Sequence, residues 1–437
     1  MPVFPLLPFV GVLLSVALLP LWTPTLWQHH TGKMLAPFPC ILALYAALCG
    51  NFAPFCSASC ATLLCDYLPF LVLMASLYGI AGGIHITVPQ RTTPLLNTIV
   101  LAMATLAAGW IGTTGASMAC IRPFLRLNAG NTHKAHLVVF FIFLVSNIGG
   151  GLSPLGDPPL FMGFLQGIDF FWVSRNLCWP VFGTSVALLG IFFVLDTFLK
   201  KQDHQTVDAE TTPFTAVHCE GKRNVLLLAG AVIIVALTTK DLGTFSVFGV
   251  SLPIIGLFRD GGLLLLLGIS MKNTPWSIRE HNTFEWEPIH EIAKIFFAIF
   301  ITLIPVEAAL RGETPIARVL TEALSVDSAL SPWRCFWVSG VLSSFLDNTP
   351  TYLFFFHLFG GNPSTLMTTQ APLLMAISLG SVFMGAMTYI GNAPNLMVMA
   401  IARKRFPKKM PSFFGYMGWS VALLLPIFGV LSFVLFP

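Results

Sequence analysis

The chain has 437 residues, of which 55% are hydrophobic and only 10% charged, and its mean hydropathy is +0.80. These values lie outside the mixture of an ordinary water-soluble domain and make the lipid bilayer the solvent in which the chain folds. The net charge of +4 comes mostly from short loops, and no basic patch is interleaved with aromatics, so it sets orientation in a membrane and does not point to nucleic acid.

Apolar runs of about 20 residues recur along the chain, the length a helix needs to cross a hydrocarbon core of roughly 30 Å, whereas a β-barrel would show short alternating segments. The first run, Val3 to Trp22, has no basic residue ahead of it and no clear small-residue cleavage site, so it is expected to be a span and not a signal peptide. Further spans are expected over 36–54 and 66–87, followed by a glycine-interrupted segment over 94–127, a broken span over 136–169 and a span over 177–199. Nine cysteines include a loose group at Cys49, Cys56, Cys60 and Cys65, which lacks the paired spacing of a zinc site and reads as small hydrophobes in apolar helix. The polar stretch from Lys200 to Arg223, mixed in charge and rich in Thr, reads as a solvated tether.

The pattern then returns in the same order, with spans over 223–240, 245–271 and 289–306, an interrupted segment over 331–358, a broken span over 371–402 and a span over 412–436. If each interrupted segment is a re-entrant hairpin, each half crosses the membrane five times, and an odd number inverts the second half. The expected fold is an all-α polytopic membrane protein of two inverted repeats, 1–199 and 223–437, joined by a cytoplasmic linker over 200–222, an architecture of secondary transporters. The basic loops agree in parity: Arg122, Arg126 and Lys134, then Lys200, Lys201, Lys222 and Arg223, then Arg403, Lys404, Arg405, Lys408 and Lys409 fall on one side, the cytoplasm. Both termini are then outside, and no Lys or Arg precedes Lys33. Arg259 and Asp260 interrupt the span over 245–271 near its middle, where they are expected either to pair with each other or to act in gating.

The first hairpin turns at Trp110-Ile-Gly-Thr-Thr-Gly-Ala-Ser117, a polar tip tolerated at membrane depth only if it is buried or lines a wet cavity. The next span contains Ser146-Asn-Ile-Gly-Gly-Gly-Leu-Ser-Pro-Leu-Gly-Asp-Pro-Pro159, in which no continuous helix survives. Breaking it frees backbone groups, and Asn147, Ser153 and Asp157 add the hard oxygens that a sodium ion or a proton relay requires. The second half offers Phe345-Leu-Asp-Asn-Thr-Pro-Thr351 at its tip and Met387-Thr-Tyr-Ile-Gly-Asn-Ala-Pro-Asn395 in its broken span. Thr113 and Asn147 are 34 positions apart and Asn348 and Asn392 are 44 apart, which reads as halves matched in order and unequal in loop length. An unpaired carboxylate at mid-membrane costs about 2.5 to 3.5 kcal/mol, so Asp347 is the first choice for the group that binds a cation or titrates. Asp157 is second, because two following prolines are expected to put it nearer the interface.

Other polar residues read as structural. Glu285, Glu287, His290, Glu291 and Lys294 suit an amphipathic entry helix, Glu307 and Arg311 a helix-end pair, His133 and His136 a solvated loop, and His29 and His30 a polar loop. No enzyme signature is present: His290-Glu291 is not followed by the second His of a metalloprotease helix, and there is no G-x-x-x-x-G-K-[ST] phosphate loop. Nucleotide hydrolysis on this chain is thereby excluded, which leaves an ion gradient to drive movement of a solute.

The stretches Ile111–Met118, Ser146–Pro159, Asp347–Thr351 and Tyr389–Asn395 closely resemble the bacterial family of sodium:proton antiporters and citrate transporters within the ion transporter superfamily, and the resemblance covers nearly the whole chain. It implies a homodimer in the bacterial inner membrane, in which a scaffold holds a mobile transport domain of two hairpins and two broken helices that moves like an elevator. It places ions and substrate where tips meet breaks, implicating Thr113, Thr114 and Asn147 on one side and Asp347, Asn348, Thr349, Thr388 and Asn392 on the other, with Asn395 beside them. Sodium is expected at Asn147, Asp347, Asn348 and Asn392, with Na+ or H+ as coupling ion and no other cofactor. Dicarboxylate members tend to carry Ser-Asn-Thr at both tips; here the tips read Gly-Thr-Thr-Gly and Asp-Asn-Thr-Pro, and the acid favours a cation there. Sodium:proton antiport is the leading expectation, and symport of citrate or a related organic anion the alternative.

Overall fold

The computed structural model describes residues 4–87, 93–203, 218–238, 242–247, 249–310, 314–327, 329–407 and 409–437. Most of the linker expected over 200–222, together with Arg311 and Lys408, lies outside the described residues. The first half opens with α1 (Leu7–Trp22), α2 (Pro24–Leu35) and α3 (Pro37–Leu48). His29 and His30 therefore sit in a helix, kinked at His30, and not in a loop. A 30-residue rod, Phe52–Ala81, follows as α4 (Phe52–Thr62), one π-helical turn (Leu63–Tyr67) and α5 (Leu68–Ala81). It starts well before residue 66 because Ala, Ser and Cys between Phe52 and Thr62 are helix-compatible, and it stops at Gly82-Gly83. Cys49, Cys56 and Cys60 are exposed and not buried as small hydrophobes, and no metal-sized group of His, Cys, Asp and Glu exists among the described residues.

The first hairpin is α6 (Pro94–Ile111) and α7 (Thr113–Leu127), folded back at Gly112, whose φ of +82° lies in the region open to glycine. Thr93 caps α6 by accepting from Leu96 N–H at 3.1 Å. The broken span is α8 (Ala135–Leu144), a 3₁₀ turn over Ile148–Leu152, and α9 (Pro158–Leu165). Every residue of α8 from His136 onward is buried, which suits an all-round apolar helix at the centre of the molecule. The half closes with α10 (Phe170–Asp203), longer than expected at both ends. Its last turns carry Asp196 and Lys200 inward: His136 Nε2 stands 3.0 Å from Asp196 Oδ1, and Lys200 Nζ 3.4 Å from Oδ2. His136 is thus buried in an ion-paired network and not solvated.

A two-stranded ladder, β1 (His85–Thr87) against β2 (His218–Glu220), joins the end of α5 to the start of α11 (Lys222–Leu237). Next, β3 (Thr244–Val247) and β4 (Val250–Pro253) form a hairpin around Gly249, so α12 (Ile254–Asn273) begins nine residues later than 245. Arg259 and Asp260 therefore occupy its second turn and not its middle, where Arg259 Nε donates to Asp260 Oδ1 at 2.8 Å. The short α13 (Trp276–His281) leads to α14 (Glu287–Leu310), where Glu291 is half-buried and accepts from Trp27 Nε1 at 2.8 Å, while Glu287, His290 and Lys294 remain exposed. After α15 (Pro315–Leu324), β5 (Ser325–Val326) and β6 (Ala329–Leu330), the second hairpin is α16 (Pro332–Ser343) and α17 (Asn348–Leu358). Then come α18 (Pro363–Met367), the broken pair α19 (Ala371–Met384) and α20 (Ala393–Arg405), and α21 (Phe413–Leu435). Eight helices among the described residues are long and apolar enough to cross a bilayer, so the protein is an all-α polytopic membrane protein.

The two hairpin-and-break units repeat contact by contact. In the first, Ser153 Oγ donates to the Gly109 carbonyl 44 positions back; in the second, Thr388 Oγ1 donates to the Ser344 carbonyl, also 44 back, at 2.5 Å. Asp157 and Asn392, 235 positions apart, are the N-caps of α9 and α20, each followed by proline in the first turn. The positions matching Thr113 and Asp157 are thus Asn348 and Asn392, and the unequal spacing expected from sequence came from pairing Asn392 with Asn147. Packing is reciprocal as well: α7 packs on α20, and α17 on α9.

Two equivalent glycines make these turns possible. A Cβ on Gly156 would lie 2.2 Å from the Gly150 carbonyl oxygen, and one on Gly391 would lie 2.7 Å from that of Gly385. Both obstacles are backbone atoms, which cannot step aside as a side chain can. Gly156→Ala and Gly391→Ala should each destabilise the purified protein by about 1–3 kcal/mol, read as a thermal midpoint lowered by a few degrees. Gly183→Ala, whose added methyl would meet nothing within 4 Å, should leave the midpoint unchanged.

Candidate functional site

Four helices begin at one place: α7 at Thr113, α9 at Pro158, α17 at Asn348 and α20 at Ala393. Their positive N-terminal ends converge there, because Thr113, Asn348 and Asn392 all reach Asp157, the residue that caps α9. Asp157 lies at the focus, 1% exposed. Its Oδ1 accepts from Thr113 Oγ1 at 2.9 Å and its Oδ2 from Asn348 Nδ2 at 2.8 Å, while Asn392 Nδ2 stands 3.4 Å from Oδ1. The donors come from the first tip, the second tip and the second break, so one carboxylate ties both halves. Among the described residues no Lys, Arg or His forms an ion pair with it.

An amide layer lies beside this carboxylate. Asn147 Nδ2 donates to the Ile142 carbonyl and to Asn395 Oδ1, both at 2.8 Å, and Asn395 Nδ2 donates to the Gly385 and Thr388 carbonyls at 2.9 and 3.1 Å. Asn392 Nδ2 also approaches the Ser146 carbonyl at 3.2 Å and Asn147 Oδ1 at 3.4 Å. Ser343 Oγ stands 2.8 Å from Asn348 Oδ1 and 2.6 Å from the Ser381 carbonyl, and its one proton serves one of these two acceptors, while the Asn348 NH2 faces Asp157. The oxygens of Asn348 and Asn147 converge over Gly385: a Cβ there would lie 2.3 Å from the first and 3.0 Å from the second. A side chain at this position would collide with both amide oxygens, so the glycine is what lets them pack against the backbone here.

Of the residues expected from sequence, Thr113, Asn147, Asp157, Asn348, Thr388, Asn392 and Asn395 are brought together here, all buried. Thr114 is buried on the next position of α7 but does not join the hydrogen-bonded set. Thr349 is also buried, and its hydroxyl makes no hydrogen bond of normal geometry. Asp347 lies next to Asn348 but outside the hydrogen-bonded set. It is the N-cap of α17, half-buried, accepting from Thr349 N–H at 3.2 Å, and it matches Gly112 in the first half. Asp157, expected nearer the interface because of its two following prolines, is instead buried in the interior, and those prolines start α9. Ser343 and Gly385 were not singled out from sequence; only their place on the matching unit marks them.

Residues 1–436 match the family described as "putative citrate transport". The chain belongs to that family. Similar curated proteins include an uncharacterized transporter of Mycobacterium bovis and one of Mycobacterium tuberculosis, each 24% identical over 331 residues, covering 72% of this chain and 71% of the relative. Membership of a transport family agrees with the multi-pass architecture.

A hydrogen bond to a buried charge contributes about 1.5–3 kcal/mol. A double-mutant cycle of Asp157→Ala and Asn348→Ala, followed by thermal or denaturant unfolding in detergent, should return a coupling energy of that order. Additive effects would mean that the two side chains do not interact across the halves.

Proposed function

We propose that the protein is a secondary active transporter that exchanges sodium for protons, with Asp157 as the carboxylate that the two ions share. The observation that carries this reading is a buried carboxylate held only by neutral donors. Thr113, Asn348 and Asn392 can orient the charge but cannot neutralise it, so a proton or a metal cation is its natural complement. The adjoining oxygens of Asn147 and Asn348 supply uncharged ligands for sodium, and Asp347 adds a second acid on the approach.

Symport of citrate or another organic anion is the competing reading, favoured by the family description and by the four helix N-termini. Asp157 already occupies their positive field, and an incoming carboxylate would meet its negative charge. In the elevator reading, the moving body comprises both hairpins and both broken spans, exchanging ions across a bacterial inner membrane within a homodimer. The matched contacts 235 positions apart support an inverted repeat, and the basic loops support a cytoplasmic position for Arg122, Lys200 and Arg403.

Proteoliposomes with an imposed proton gradient decide between the readings. Sodium, and lithium as its hard-cation analogue, should collapse the gradient with the wild-type protein and fail to do so with Asp157→Asn. Asp347→Asn should slow the exchange by no more than about tenfold, the equivalent of about 1.4 kcal/mol. Uptake of labelled citrate without a sodium response, or full exchange by Asp157→Asn, would refute the assignment.

A further inference from the structure

A cavity of about 860 Å³ opens between the π-helical turn, the end of α9, the start of α12 and the end of α14. Asp169 in its wall immediately precedes α10, whose last turn holds Lys200, so the cavity and that basic loop lie at opposite ends of a 34-residue helix. The charged lining is four carboxylates, Asp66, Asp169, Asp260 and Glu307, and one guanidinium, Arg259. A cleft whose walls carry mostly one sign concentrates the opposite ion, so this lining gathers cations. Arg259 has the wrong sign for that task, and it is the one member of the five that is buried, at 6% exposed.

Arg259 Nε donates to Asp260 Oδ1 at 2.8 Å, whereas its two terminal nitrogens make no hydrogen bond among the described residues. Packing alone does not account for it, because burying terminal N–H groups without acceptors costs free energy that an apolar side chain would avoid. Its Cζ lies 5.7 Å from the centroid of the Phe161 ring. Phe161 is 1% exposed and sits in the first turn of α9, where its N–H donates to the Asp157 carbonyl at 3.3 Å. Arg259 lines the cavity and Phe161 does not, so guanidinium and ring are successive layers between the cavity and the turn that begins at Asp157. The other end of α9 is held to the cavity wall, where Gln166 Nε2 donates to Asp66 Oδ1 at 3.0 Å.

We propose that Arg259 and Phe161 form a cationic plug between the cavity and Asp157, which holds back cations collected by the acids until α9 moves against α12. Arg259 is a specificity-determining residue that repels a cation from the closed route and does not ligate it. The plug rests on the reading of Asp157 as a cation carrier, but its charge can be read with no ion moving. Two methanethiosulfonate reagents of similar size, one bearing trimethylammonium and one sulfonate, are applied to the full chain in lipid nanodiscs. Their rate ratio, taken relative to that on free mercaptoethanol, cancels the reactivity of the thiol and reports the local potential.

A chain that retains only Cys65 of the nine cysteines, in the cavity wall, should favour the cationic reagent. With all nine replaced, Phe161→Cys should favour the anionic one, and adding Arg259→Gln should move its ratio toward the cation by about tenfold. Arg259→Lys should keep the anionic preference. Phe164→Cys, on the cavity wall and leaving the ring of Phe161 in place, repeats the comparison should Phe161→Cys fail to fold. An unchanged ratio in Arg259→Gln, or no reaction there at either reporter, overturns the plug. The expected shift, found while the wild-type protein shows no sodium exchange, would support the plug and remove the ion assignment.

Discussion

The carboxylate of Asp157 is the point on which the interior of this protein closes. Thr113, Asn348 and Asn392 reach it from three segments that are far apart in sequence, the Asn348 contact alone spanning 191 positions. A charge in a membrane interior is tolerated when fixed dipoles surround it, and here four helix N-termini and three neutral donors do so. None of those termini would exist in an unbroken span. The glycines that allow the breaks are therefore tied to the acid they surround: Gly150 and Gly156 bring the chain around to Asp157, while Gly385 leaves room for the amide oxygens beside it.

This arrangement explains why the two halves differ in chemistry while agreeing in geometry. At matching positions the first half places an acid at the break, Asp157, and a glycine at the tip, Gly112; the second half places an amide at the break, Asn392, and an acid at the tip, Asp347. The first half thus supplies the buried charge and one of its donors, Thr113, and the second supplies the other two, Asn348 and Asn392. A site of that composition leaves the negative charge of Asp157 surrounded by neutral donors.

Much of this was legible in the sequence because glycine, proline and asparagine in a span of hydrophobic residues have few other uses. The hairpin over 94–127 and the breaks near Asn147 and Asn392 follow from backbone chemistry alone. The pairing across halves was not legible, since proximity of Asp157 to Asn348 depends on how two hairpins dock and leaves no local pattern. Choosing Asn147 as the counterpart of Asn392 followed residue identity, whereas the backbone contacts select Asp157. Similar reasons hid the other polar pairs: Asp66 is a single acid in an apolar rod, and His136 looked solvated because its partner Asp196 lies 60 positions away. The start of α12 was obscured because the β3–β4 hairpin is as apolar as the helix it precedes.

The account turns on Asp157 being the residue that holds a cation, and binding can be measured without transport. Thermal unfolding of the purified protein at increasing sodium chloride, with choline chloride keeping ionic strength constant, reads that binding as stabilisation. A site at a hundred times its dissociation constant contributes about 2.7 kcal/mol. The wild-type midpoint should rise with sodium and saturate, and the Asp157→Asn midpoint should not respond to it. Equal stabilisation of Asp157→Asn by sodium would contradict the account.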